Sequence, residues 1–212
     1  MYFDNRLDAA RELGDALGNY RGTRPLVLAI PRGAVPMARE LARILGGDLD
    51  VVLAHKIGAP GNEEFAIGSV AEDGWTYVSD DARDLGISAA HIEREKAAQL
   101  AIMKRRRALY TPGRPPLDPR GRVCIVVDDG LATGATMIAA LQGLRARGPA
   151  RLVCAAPVAS RESLARIGKL ADEIVCLSVP PEFHAVGQFY RDFNAVTDDE
   201  VVRILSAHDL VT

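Results

Sequence analysis

The sequence predicts an α/β fold: an open parallel sheet flanked by helices on both faces, with a hairpin or flexible loop and a small hood from the termini. Three observations carry that prediction. Short, nearly continuous apolar runs recur at "PLVLAI" (25–30), "LDVVLAHK" (49–56), "VCIVVDD" (123–129), "RLVCAAPVA" (151–159) and "EIVCLSV" (173–179). Amphipathic segments lie between most of them, the pattern of strands buried on both faces by crossover helices. Glycine and proline punctuate the changes of pattern.

The 212 residues are expected to form a single domain, with hood contributions from about 1–20 and 179–212. "MYFDNRLDAARELGDALG" reads as an amphipathic helix, with Phe3, Leu7, Ala10, Leu13 and Leu17 on its apolar face, and not as a signal peptide. "PMARELARILGG" (36–47) has helical periodicity through Met37, Leu41 and Ile44, and its Gly pair suits a C-cap. With the strands on either side it makes a right-handed βαβ unit. "FAIGSV" and "TYVSD" around the turn-like "AEDGW" read as a hairpin. Ser88 caps a long polar helix from about Ala89 to Tyr110, supported by a Glu93–Lys96 pair and offering a homodimer interface. "TPGRPPLDPRGR" (111–122) cannot continue that helix, because its prolines lack donors, so it reads as a surface loop. Helices follow at "ATMIAALQGLRARG" and "RESLARIGKL", and Thr197 is a plausible N-cap for a last helix in "TDDEVVRILSAHDL".

Composition narrows the function classes. The 26 basic and 28 acidic residues give a net charge of −2, which argues against a general nucleic-acid binder. "MKRRR" (103–107) more simply answers a helix dipole than binds RNA. No apolar run approaches the ~20 residues of a membrane span, so a cytoplasmic protein without a membrane partner is expected. Cys124, Cys154 and Cys176 each sit in an apolar run and read as buried thiols, and the four histidines form no metal-ligand pair.

Ligands of open parallel sheets bind beyond the carboxyl ends of the strands. Three unusual segments are predicted there: "PRGA" (31–34), "HKIGAPGNEEFAIG" (55–68) and "DDGLATGAT" (128–136). In the last, Gly130 and Gly134 permit tight backbone geometry, Ala132 and Ala135 keep side chains away, and Thr133 and Thr136 offer hydroxyls. Such a loop entering a helix presents N–H groups to a phosphate. Asp128 and Asp129 repel that anion but suit neighbouring ribose hydroxyls, directly or through Mg2+. The alternative is an ordinary strand-to-helix turn. Arg32 with the Gly33 and Ala34 amides, and Lys56 at the next strand end, are candidates for a second anion; each could equally be a solvated surface cation. Glu63 and Glu64 follow a Gly/Pro-rich stretch that suits either a lid carrying an acid or a solvated loop tip. Of the aromatic residues near the C-terminus, Phe193 leans to the core, while Phe183 and Tyr190 either stack an acceptor or close the core around the last helix. The chain has no GxxxxGK[ST] and no GxGxxG after its first strand, which removes P-loop and dinucleotide readings.

"CIVVDDGLATGATM" resembles the PRPP-binding motif of the type I phosphoribosyltransferases. "PRGAVP", "DVVLAHKIGAPGNEEFAIGSV" and "FHAVGQFYRDF" extend the resemblance, to a bacterial and archaeal branch, over nearly the whole chain. It implies a Mg2+-dependent enzyme that moves the 5-phosphoribosyl group from PRPP to a small nitrogenous acceptor and releases pyrophosphate. Asp128 and Asp129 would hold the ribose and, indirectly, the metal; Gly130 and the 132–136 segment would wrap the 5′-phosphate. Pro31, Arg32, Gly33 and Ala34 match the pyrophosphate loop, where the family often has a cis non-proline peptide. Lys56 matches a lysine near the pyrophosphate, and 57–75 the flexible loop that closes over PRPP; once such a lid closes, Glu63 or Glu64 is the candidate acid/base for the acceptor. Enzymes for 6-oxopurines carry an aspartate where this chain has Ala132, so those acceptors are disfavoured. A regulator that senses PRPP or a nucleotide on the same fold is the alternative.

Overall fold

The computed structural model describes residues 2–208, except the side chains of Glu63, Glu64 and His208. Five strands form one parallel sheet: β1 (Leu26–Ala29), β2 (Asp48–Val51), β6 (Val123–Val127), β7 (Arg151–Val158) and β8 (Glu173–Ser178). Their order across the sheet is β2-β1-β6-β7-β8. An antiparallel sheet of three strands, β3 (Ala54–Ala59), β4 (Asn62–Ala71) and β5 (Thr76–Val78), forms the second layer of pairing.

Helices cover both faces of the parallel sheet. Apolar side chains of α1 (Arg6–Ala16), α2 (Val35–Leu45) and α7 (Asp198–His208) pack on the face that carries Val27, Ile125 and Val153. Those of α5 (Ala135–Ala146) and α6 (Arg161–Ile167) pack on the face that carries Leu26, Cys124 and Cys154. A short α3 (Asp80–Asp84) precedes α4 (Ala89–Tyr110). Local signals explain the helix ends. Gly46 closes α2 in the left-handed conformation at φ 65°. Ser88 Oγ accepts from His91 N at 3.3 Å. Thr197 and Glu200 exchange a capping box, with Glu200 N donating to Thr197 Oγ1 and Thr197 N to Glu200 Oε2.

Three local expectations are corrected. The run "LDVVLAHK" is two strands in two sheets. Its neighbour β1 ends at Ala29, so pairing stops once Val52 N has donated to Ala29 O. The chain then turns out and satisfies its backbone against β4, because an unpaired buried strand would leave donors and acceptors unmatched. The Gly/Pro-rich stretch after it is likewise no irregular loop: Pro60 and Gly61 make a two-residue turn between β3 and β4, with Gly61 at φ 75°. Finally, Leu7 is 43% exposed and Phe3 precedes α1, whose buried face is Ala9, Ala10, Leu13 and Gly14.

The cysteines are free thiols, and burial pushes Cys124 up to about 11 and Cys154 up to about 12. No helix among the described residues is long and apolar enough to cross a membrane.

Candidate functional site

The strand order sets the site. From β1 the chain moves outward to β2, whereas β6, β7 and β8 run the other way, so the topology reverses between β1 and β6. The loops after these two strands carry "PRGA" and "DDGLATGAT", at the crevice where open α/β sheets take ligands. The two loops touch. A Cβ built on Gly33 would lie 2.1 Å from Asp129 Oδ2, so only glycine lets the carboxylate rest there. The peptide between Pro31 and Arg32 is cis, as the resemblance implies.

Asp128 and Asp129 follow β6 and lie side by side, largely out of solvent. Asp129 N donates to Asp128 Oδ1 at 2.9 Å. Burial, and then the charge of Asp129, hold the Asp128 carboxyl well above its usual range. Burial also raises Asp129, against which the Arg6 guanidinium pulls downward.

Sequence reasoning missed Arg6. Its Nε donates to Asp129 Oδ2 at 2.9 Å, its Nη2 lies 2.8 Å from the same oxygen, and its Nη1 donates to Asn194 O at 2.7 Å. The guanidinium lies 3.9 Å from the centre of the Phe193 ring. Nothing in the sequence pairs an arginine in the first helical turn with an acid 123 residues away. The available signal was Asn5, whose side chain accepts from Leu7 N and Asp8 N and so starts the helix at Arg6.

The terminal segments meet beside this pair. Phe3 N donates to Phe189 O and Arg191 N to Phe3 O. Tyr190, a candidate to stack an acceptor, is instead buried, and its hydroxyl donates to Asp129 O at 2.6 Å. Phe193, expected in the core, is half-buried under Arg6 and stacks on Tyr190 with centroids 4.9 Å apart. Phe183 is half-buried and packs on Phe189 at 5.3 Å.

The 130–136 loop forms a cradle of about 160 Å³ lined by Asp128, Gly130 and every residue from Leu131 to Thr136. Serines at the start of α6 brace it. Ser160 Oγ donates to Ala132 O at 2.7 Å and Ser163 Oγ to Leu131 O at 3.0 Å. Gly134 starts α5 at φ 68° with no side-chain cap, and Ala132, Thr133 and Thr136 are exposed. The loop backbone and the helix start thus face the cradle without a competing acid other than Asp128.

The other expected residues lie further out. The Arg32 side chain is about half exposed, 3.8 Å from Asp198. Lys56 ends no strand of the parallel sheet. It sits on β3 and lines a cavity of about 340 Å³ with Ser69, Ala135, Arg166 and Lys169. Glu63 and Glu64 belong to β4, and their side chains lie outside the described residues. Arg107, read with "MKRRR" as a solvated charge, is instead bound to Asp50 at 2.7 Å and to Glu72. Among the described residues no three His, Cys, Asp or Glu side chains group to cage a metal.

The profile of the phosphoribosyl transferase domain matches residues 2–194. The chain belongs to that family. A Mycobacterium tuberculosis protein named "Putative phosphoribosyl transferase" in each of two strains is 42% identical over 204 residues, or 96% of this chain. The chain spans about half, 46%, of the length of those curated relatives. The crystal structure of TT1426 from Thermus thermophilus superposes with a TM-score of 0.89 at 46% identity, covering 97% of this chain and 98% of that one. A Neisseria gonorrhoeae protein solved with bound ppGpp reaches a TM-score of 0.52 at 15% identity, covering 98% of this chain and 94% of that one, and shares the fold.

Proposed function

We propose that this domain transfers the 5-phosphoribosyl group of PRPP to a small nitrogenous acceptor, releasing pyrophosphate. The observation that carries the reading is the meeting of the two loops, with Gly33 against the Asp129 carboxylate and the 160 Å³ cradle next to Asp128. One end of the site suits an anion and the other suits hydroxyls, the two needs of a sugar phosphate.

In this reading the loop amides of 132–136, the Thr133 and Thr136 hydroxyls and the start of α5 hold the 5′-phosphate. Asp128 and Asp129 accept from the ribose hydroxyls. The 31–34 turn, with Arg32, faces the pyrophosphate. Lys56, Arg166 and Lys169 add positive potential on the flank of the phosphate loop. Breaking the anomeric bond leaves oxocarbenium character on the sugar, as in glycosyl transfer generally, and the two carboxylates favour that cation. Arg6 opposes the effect of burial on Asp129, pulling it toward its charged form, and holds its carboxylate in place.

The donor set fits Mg2+ held mostly by water and substrate oxygens, since such ions need only one or two protein carboxylates. When bound with the pyrophosphate, Mg2+ would supply positive charge to the leaving group. Ala132, in place of an acid, disfavours 6-oxopurine acceptors.

The test is a panel of bases incubated with PRPP and Mg2+, with pyrophosphate and nucleotide product read by mass spectrometry. Transfer gives both, in equal amounts and only with an acceptor. Tight PRPP binding without pyrophosphate release would make the domain a sensor, and release without an acceptor would make it a hydrolase.

A further inference from the structure

A cavity of about 960 Å³ has no part in the site above. Its walls come from Leu100, Lys104 and Ala108 of α4, Gly74 of the β4–β5 turn, Pro115, and Arg147 just beyond α5. The cradle is at the start of α5; twelve residues of helix, at ~1.5 Å each, put Arg147 roughly 18 Å away.

We propose that this cavity is a second ligand site, for an anion of nucleotide size with a flat apolar body. Three observations carry it. The volume falls in the range of small-molecule pockets, ~300–1,000 Å³. The site is built: beneath it Arg107 is bound to Asp50 and Glu72, and Leu117 N donates to Asp50 Oδ2 at 2.9 Å, which fixes the proline loop against α4. The third is charge. Lys104 and Arg147 take part in no ion pair among the described residues; of the two acids at the wall, Glu72 is bound to Arg107, which leaves Asp73, held by Trp75 N, as one carboxylate against these two cations. The wall between the cations is aliphatic, from Leu100, Ala108, Pro115 and Pro116. A bare phosphate would leave that wall wet, and a neutral hydrophobe would leave the cations unmatched. Only a molecule with both parts satisfies the cavity.

The site is placed to influence the first one. A different face of α4, through Ile102, Met103 and Arg106, lines a cavity of about 180 Å³ together with Pro31 and Thr136. At the end of α4, Tyr110 donates to Asp198 Oδ1 at 2.6 Å, and Asp198 lies 3.8 Å from Arg32.

The probe for the test is 8-anilinonaphthalene-1-sulfonate, which has an aromatic body and one fixed negative charge, titrated by fluorescence into the native protein. We expect saturable binding at one site. Lys104→Glu, an exposed substitution, should weaken it at least tenfold, and Ala108→Trp should abolish it by filling the cavity, with circular dichroism unchanged in both. Asp129→Ala should leave the affinity as it is, whether or not the protein uses PRPP. Absent binding, an affinity indifferent to Lys104→Glu and Ala108→Trp, or displacement by millimolar inorganic sulfate alone would each overturn the proposal.

Discussion

Two aspartates, one buried on β2 and one half-buried just beyond β6, are surrounded to very different effect. Asp50, on β2, is 1% exposed, yet every charge around it is answered. Val51 N and Arg107 Nη1 donate to its Oδ1 at 2.8 and 2.7 Å, and Leu117 N donates to its Oδ2 at 2.9 Å. Asp128, after β6, accepts from Asp129 N and has a second carboxylate for a neighbour in place of a cation. A buried charge with its partners in place holds structure together. One left short of partners is a cost that folding alone does not explain, and a ligand can relieve it.

The largest effect should come from breaking the satisfied network. Asp50→Ala leaves Arg107 and Arg114 near a void that no anion fills, and loss of one member of a buried ion pair costs ~3–5 kcal/mol. For a chain of this size, calorimetry should show a fall in Tm on the order of 10 °C. A variant within a degree or two of wild type would mean that Asp50 and Asp128 do not differ as described.

A smaller effect is expected where the network meets the site. Arg6→Gln removes the cation from Asp129 and the contact with Asn194 O, while α1 keeps its Asn5 cap. Charge-assisted hydrogen bonds contribute ~1.5–3 kcal/mol, so PRPP affinity should fall on the order of 10- to 100-fold by calorimetric titration. Equal affinities would remove Arg6 from the site.

How much of this was legible in the sequence follows from the range of the interactions. The alternation of apolar strands and capped helices is local, so β1, α2, α4, β6 and α5 stand close to where periodicity puts them. The acidic pair and the Thr-Gly loop were legible because the chemistry is contiguous in the chain. Arg6 was not, because its partner is joined to it only by the fold. Nor was the end of β2, which depends on where β1 stops, so Lys56 was assigned to the wrong sheet. Of the two roles open to Tyr190 the structure takes the core, and its bond to Asp129 O was not legible because an aromatic side chain in a polar segment carries no sign of what its hydroxyl will reach.

The smallest effect is the most discriminating, and it turns on pH. Burial and Asp129 raise the folded Asp128 carboxyl above its usual 3.8, so the folded state binds this proton more tightly than the unfolded chain. Stability from that proton is complete below about pH 4 and is lost as pH rises through the folded value. Asp128→Asn keeps the shape and removes the charge. Its Tm should therefore match wild type at pH 4 and exceed it increasingly toward neutrality, even as PRPP binding is lost. Asp50→Asn should do the reverse at neutral pH, since there the charge has partners to lose. Calorimetry of the two variants from pH 4 to 8 checks both signs. If Asp128→Asn is the less stable protein at pH 8, its carboxylate is as well satisfied as that of Asp50, and the contrast between the two aspartates fails.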